Sequence, residues 1–126
     1  CALDRKNMKL EFSGANHPLV LVRDGELIET KGDKQPIGQY ITRKNFTNHE
    51  MDLKKGDIIY LYSDGYGDQF GGESGKKFKR SRLKEMLLAH HNKPMSNQKK
   101  ILDETNEAWK GNLEQIDDII VMGIKV

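Results

Sequence analysis

The stretch that most narrows what this chain can become is Asp57-Ile58-Ile59-Tyr60-Leu61-Tyr62, closed by Ser63-Asp64-Gly65. Two Ile, two Tyr and a Leu in unbroken succession predict a buried strand. Ser-Asp-Gly then stops it. Gly65 lets the backbone turn sharply and approach a ligand, so Asp64 stands as a carboxylate where a rigid strand ends, a good arrangement for holding a hard cation. Asp68 supplies a second acid four residues on. By itself the tripeptide is an ordinary turn former. The second half of the pattern lies near residue 117, where Gln115-Ile116-Asp117-Asp118 precedes another apolar run, Ile119 to Val126. If that run lies beside 58–62 in one sheet, Asp64 and Asp117 converge at the sheet's end and form an oxygen-rich corner of the kind Mg²⁺ and Mn²⁺ prefer.

Around these stretches the hydrophobic period is two up to about residue 75 and 3.6 beyond it. Cys1 to Ser13 reads as a hairpin with its turn near Asn7, because Leu10 and Phe12 alternate with Lys9 and Glu11. Leu19 to Val22 is apolar on both faces and predicts a central strand. Asp24-Gly25 is the strongest two-residue hairpin signal, leading into Glu26 to Thr30. Residues 31–45 form a long loop, with Pro36-Ile37-Gly38 expected to pack back on the core. Phe46 to Leu53 reads as an edge strand. Leu83, Met86, Leu87 and His90 share one helical face, with Ser81 as N-cap. A second helix spans about 96–110, with Ile101, Leu102, Thr105, Ala108 and Trp109 on its apolar stripe and Gly111 at its stop. Six or seven strands, two helices and a final strand predict an α+β fold with mainly antiparallel sheet and both helices on one sheet face.

At 126 residues the chain is one domain or part of one. A chain that opens on Cys1-Ala2-Leu3 reads as cut from something longer. Its charge balance of +2 gives no general drive toward nucleic acid or anionic membrane. The basic run Lys76-Lys77-Phe78-Lys79-Arg80-Ser81-Arg82 reads as the solvated start of a helix, and only secondarily as a phosphate-docking patch. With mean hydropathy −0.75 and no apolar run of membrane-spanning length, a membrane segment is not expected. The single Cys excludes an internal disulfide and agrees with a reducing cytoplasm. Nothing near Cys1 resembles an activating base.

Taken in order, the motifs resemble the C-terminal part of the metal-dependent protein phosphatase domain, in the bacterial branch typified by the stage II sporulation protein E phosphatase. Gly14-Ala15-Asn16-His17-Pro18 looks like that family's Asn/Gly-His-Pro loop, and Lys34-Gln35-Pro36-Ile37-Gly38 is similar to its Gly-x-Pro-Leu-Gly segment. Asp57 through Gly65 and Gln115-Ile116-Asp117-Asp118 complete the set. The resemblance implies that Asp64 and Asp117 are ligands of a centre of two Mn²⁺ or Mg²⁺ ions, with Gly65, Asp68 and Asp118 in support. It implies a cytoplasmic phosphoserine/phosphothreonine phosphatase of a bacterial signalling pathway, within a β-sandwich whose other half, with its first metal-binding Asp, lies upstream of Cys1. A phosphoprotein substrate and an upstream sensor or regulatory domain are the expected partners. These residues alone are expected to bind metal weakly, to hydrolyse little or nothing, and to self-associate through apolar side chains left facing water.

Two departures keep a second reading open. Gly67-Asp68 stands where the family has Thr-Glu, and Ile120 where it commonly has Thr. A degenerate, non-catalytic module that binds a phosphoprotein or partner would tolerate both. His17 and His49 are imaginable as replacement ligands, but His17 reads as a loop hydrogen-bonder. His90-His91 reads as helix C-terminal charge.

Overall fold

Two turns decide the pairing of the first strands in the structure, a computed structural model that describes residues 1–39 and 44–126. The Asp4 carboxylate accepts the amides of Lys6 and Asn7, both at 2.9 Å, and the Asn7 side chain at 2.7 Å. The chain reverses there, and β1 (Ala2–Asp4) runs antiparallel to β2 (Lys9–Phe12). Asp24 and Gly25 both take positive φ, 50° and 79°. That combination matches the twist of flanking strands, and it sets β3 (Leu19–Arg23) against β4 (Glu26–Thr30) from Leu19–Thr30 to Arg23–Glu26.

The later strands add to these hairpins. β5 (His49–Asp52) pairs with β2 at the edge of a three-stranded sheet. It is shorter than the strand expected over 46–53. β6 (Ile58–Tyr62) pairs antiparallel with β3, Leu19 facing Leu61. After it come the short helix α1 (Gly65–Asp68), a two-residue ribbon of β7 (Phe70–Gly71) and β8 (Lys76–Lys77), then α2 (Arg80–His90) and α3 (Met95–Lys110). β9 (Val121–Lys125) joins the second sheet beside β6, in the order β4-β3-β6-β9. The fold is α+β with antiparallel sheets, as expected. Among the described residues no helix is long and apolar enough to cross a membrane.

The chain divides into two compact units, residues 1–61 with 124–126, and residues 62–123. In the first unit Leu10, Phe12, Leu19, Leu21, Leu53 and Ile59 form the buried cluster, with Met51, Ile124 and Val126 packed around it. Each such side chain removed from water contributes about 1.5–3 kcal/mol. Just past β9 the chain is tied to this unit by the Val126 amide, which donates to the Asp57 carbonyl at 2.9 Å, and by the Val126 carbonyl, which accepts from the Gly56 amide at 2.9 Å.

Asp57 is a buried charge in the first unit. Its carboxylate takes two hydrogen bonds from Arg23, at 2.9 and 2.6 Å, and one from the Lys54 amide at 2.7 Å. The Arg23 guanidinium holds its carboxyl below the usual carboxylate range despite burial. This pair fixes the turn that launches β6.

The loop after β4 departs from expectation. Ile37 does not pack back: it is 86% exposed. Gln35 is buried in its place, its amide donating to the Lys44 carbonyl at 2.8 Å and accepting from the Lys44 amide at 3.3 Å. A side chain able to satisfy two backbone groups secures an irregular segment better than an aliphatic one. Asp33 adds bonds to the Thr47 amide and hydroxyl at 2.7 and 3.0 Å. Residues 40–43 of the predicted loop lie outside the described residues.

In the second unit Tyr66, Phe78, Leu83 and Leu87 are buried. Phe78 meets Tyr66 and Trp109 edge-on, at 5.2 and 5.4 Å between ring centres, a geometry the ring quadrupoles favour. The Tyr66 hydroxyl donates to the Leu102 carbonyl at 2.7 Å, and burial pushes the phenol up to about 12. Two helix details differ from the pattern. Lys79, at φ 80°, precedes α2 in place of a Ser81 cap, with no side-chain capping bond. On α3, Ala108 is exposed while Gln98 and Asn106 are buried. Gln98 is drawn inward because its amide donates to the carbonyls of Lys93 (2.9 Å) and His91 (3.2 Å), closing the turn between the helices.

Candidate metal centre

The site is built where β6 ends. Ser63 leaves the strand with its amide donating to the Ile120 carbonyl at 3.0 Å. Its hydroxyl donates to the Asp118 carbonyl at 2.8 Å and accepts the Ile120 amide at 3.0 Å. One short side chain thereby ties the two stretches that carry the acids, 55 residues apart along the chain. Gly65 completes the fit, since a Cβ there would run into the Asp118 carbonyl. Its role is close approach of backbone to backbone.

Each acid then has its own surroundings. Asp64 occupies the cap of α1 without capping it, and its Oδ2 lies 3.8 Å from the Arg80 guanidinium, both side chains about half exposed. Asp68 pairs with Lys77 at 3.2 Å. Asp117 and Asp118 are exposed. The Asp117 Oδ1 accepts the Asp118 amide at 2.7 Å, and the Asp117 carbonyl accepts the Gln115 side chain at 2.9 Å. That closes a tight turn just before Ile119.

The donors fit a hard divalent cation in kind: exposed carboxylate oxygens on two segments held together by backbone. They do not complete a site in number. Among the described residues no three His, Cys, Asp or Glu side chains are grouped to hold a metal. His49 stacks on Phe12, with ring centres 6.1 Å apart, and the exposed His17 closes its loop through its amide, 2.8 Å from the Ala15 carbonyl.

The basic run is the solvated start of α2, as expected, and its cations also have partners nearby. Lys77 and Arg80 face the acids, and the Arg82 guanidinium lies over the rings of Phe78 and Trp109, 4.8 and 4.6 Å from their centres. The sequence signal for this was present: five cations in seven residues, close after an acidic turn, have a local partner to find.

The profile of the stage II sporulation protein E (SpoIIE) family matches residues 1–126, every residue of the chain. The chain belongs to the SpoIIE family. Among solved structures it resembles the SiaA-PP2C domain of Pseudomonas aeruginosa, at 34% identity and TM-score 0.89, over 98% of this chain and 48% of that one. It also resembles the PP2C phosphatase domain of the cell fate determinant SpoIIE from Bacillus subtilis, solved with a fragment of its regulatory domain: 16% identity, TM-score 0.74, over 98% of this chain and 36% of that one. A Mn-presoaked structure of the SpoIIE phosphatase domain matches with TM-score 0.69 at 16% identity, over 99% of this chain and 54% of that one. This SpoIIE-family chain therefore has a PP2C-type phosphatase fold and spans between 36% and 54% of the length of these structures. Comparison with curated protein sequences gives no match.

Proposed function

We propose that this chain supplies part of the active site of a Mn²⁺- or Mg²⁺-dependent protein phosphatase that hydrolyses phosphoserine or phosphothreonine in a bacterial signalling regulator, in the cytoplasm. Asp64 and Asp117 are the metal ligands it contributes. Gly65 and Asp118 support them by holding the two segments together, and Asp68 by closing α1 against Lys77. The observation that carries this reading is the Ser63 hydroxyl, bonded to both the Asp118 carbonyl and the Ile120 amide, at the step between the two aspartates.

Two bound divalent ions would supply an activated water and neutralise the charge of an in-line attack on a phosphoester, so no protein nucleophile is needed. The chain's own residues orient the carboxylates and present cations beside them. The remaining ligands would come from the part of the relatives' domain beyond this chain's span. The 126 residues alone would then bind metal weakly and turn over little substrate. A regulatory domain in the same protein is the expected controlling partner. The exposed Ile120 and Met122 would favour self-association of these residues in isolation, seen by sedimentation as a concentration-dependent shift in mass.

The test is Asp64→Asn and Asp117→Asn in the full-length protein, assayed for Mn²⁺-dependent hydrolysis of p-nitrophenyl phosphate and a phosphoserine peptide. Each should lower turnover at least about a hundred-fold with an unchanged circular dichroism spectrum. Full turnover in Asp64→Asn would overturn the assignment. A wild-type protein that binds the phosphopeptide yet never turns it over would favour the non-catalytic reading.

A further inference from the structure

Arg80 is held in place by the turn that follows Asp64. The Lys79 amide donates to the Gly67 carbonyl at 2.7 Å, and a Cβ on Gly67 would come within 3.0 Å of the Arg80 Cγ and 3.1 Å of its amide nitrogen. The first residue of α2 is therefore packed against α1, and the position of its Cα relative to Asp64 is set by backbone. The side chain is not locked. At 3.8 Å the guanidinium and carboxylate form an ion pair longer than a hydrogen bond, with both groups open to solvent.

We infer that Arg80 is the anion-binding residue of the site: its guanidinium neutralises Asp64 until a divalent cation does, and then pairs with the phosphoryl oxygens of the substrate. This inference rests on the reading of Asp64 as a metal ligand. Were Asp64 to hold a divalent cation, Arg80 would no longer be its counter-charge, while the backbone keeps Arg80 within a side chain's reach of the same place. A phosphomonoester dianion is the ligand class left for it, because the planar fork of donors matches two phosphoryl oxygens at once. Lys77, paired with Asp68 at 3.2 Å, carries the same charge beside a different acid and serves as the internal comparison.

The test uses Arg80→Gln, Arg80→Lys and Lys77→Gln in the full-length protein. Mn²⁺ affinity is read from the paramagnetic resonance of the free ion, and inorganic phosphate affinity by calorimetry at saturating Mn²⁺. Arg80→Gln should bind Mn²⁺ about two- to five-fold more tightly, the scale of losing one exposed competing ion pair, and phosphate about ten-fold more weakly. Arg80→Lys, which keeps the charge but not the fork, should hold the wild-type Mn²⁺ constant and still bind phosphate poorly. Wild-type constants for both ligands in Arg80→Gln, or equal changes in Lys77→Gln, would overturn the inference. Failure of the underlying reading has a separate sign: Asp64→Asn would bind Mn²⁺ as the wild type does.

Discussion

Ser63→Ala removes a side chain that hydrogen-bonds across the two halves of the site. The hydroxyl makes two hydrogen bonds, 2.8 Å to the Asp118 carbonyl and 3.0 Å from the Ile120 amide. A typical net contribution of roughly 0.5–1.5 kcal/mol per bond gives about 1–3 kcal/mol. Asp118 and Ile120 are exposed residues, so the lower part of that range applies, about 1–2 kcal/mol. The loss is local, which selects the assay. Native-state hydrogen exchange at the Ile120 amide should accelerate about ten-fold in Ser63→Ala, while amides of β2 and β3 keep their rates. Ser63→Thr, which retains the oxygen, should behave as wild type. Mn²⁺ affinity should fall about ten-fold in parallel, the usual scale for losing a group that orients ligands. If the Ile120 amide exchanges at its original rate in Ser63→Ala, the hydroxyl is not what holds residues 118–120 to the strand end.

Two further substitutions probe the fold that carries the site. Asp57→Asn should cost about 2 kcal/mol in urea titrations at pH 7, less than the roughly 3–5 kcal/mol of a fully buried pair because Arg23 is partly exposed. Since the folded Asp57 carboxyl titrates below its ordinary 3.8, its contribution is full above about pH 4 and disappears as pH falls through the lowered value. The variant should therefore lose less stability than wild type between pH 4 and pH 2, and parallel acid profiles would refute the pairing. Gly71→Ala should destabilise by about 2–3 kcal/mol, because a Cβ would overlap the Trp109 carbonyl. Gly75→Ala, at φ 57° with open space around it, should cost only about 1 kcal/mol. Equal losses at the two glycines would contradict the close approach of β7 to α3.

Much of the frame was legible because local chemistry and tertiary structure agree there. Asp24-Gly25 demands positive φ at two residues, and the hairpin follows. The strand 58–62 is found where its pattern places it, and the strand after 118 does join β6. What escaped the sequence reading depends on contacts without local signals. α1 and the β7–β8 ribbon are too short to show a period, and Gly71 is needed because Trp109 passes close to it from 38 residues away. The Arg23–Asp57 pair joins groups 34 residues apart. Ile37 stays exposed although it is apolar, because the loop's backbone needs a hydrogen-bonding side chain and Gln35 provides it. At the site, the pairing of Lys77 with Asp68 and of Arg80 with Asp64 is what the sequence pattern does not give.

Residues 62–123 leave the first unit after Leu61, and the chain returns to it only at Ile124. During synthesis, the row of backbone partners along Gly56 and Asp57 must therefore wait on the ribosome until the whole second unit has been made. A nascent chain paused before residue 124 would carry the Gly56–Asp57 rim without its partner strand.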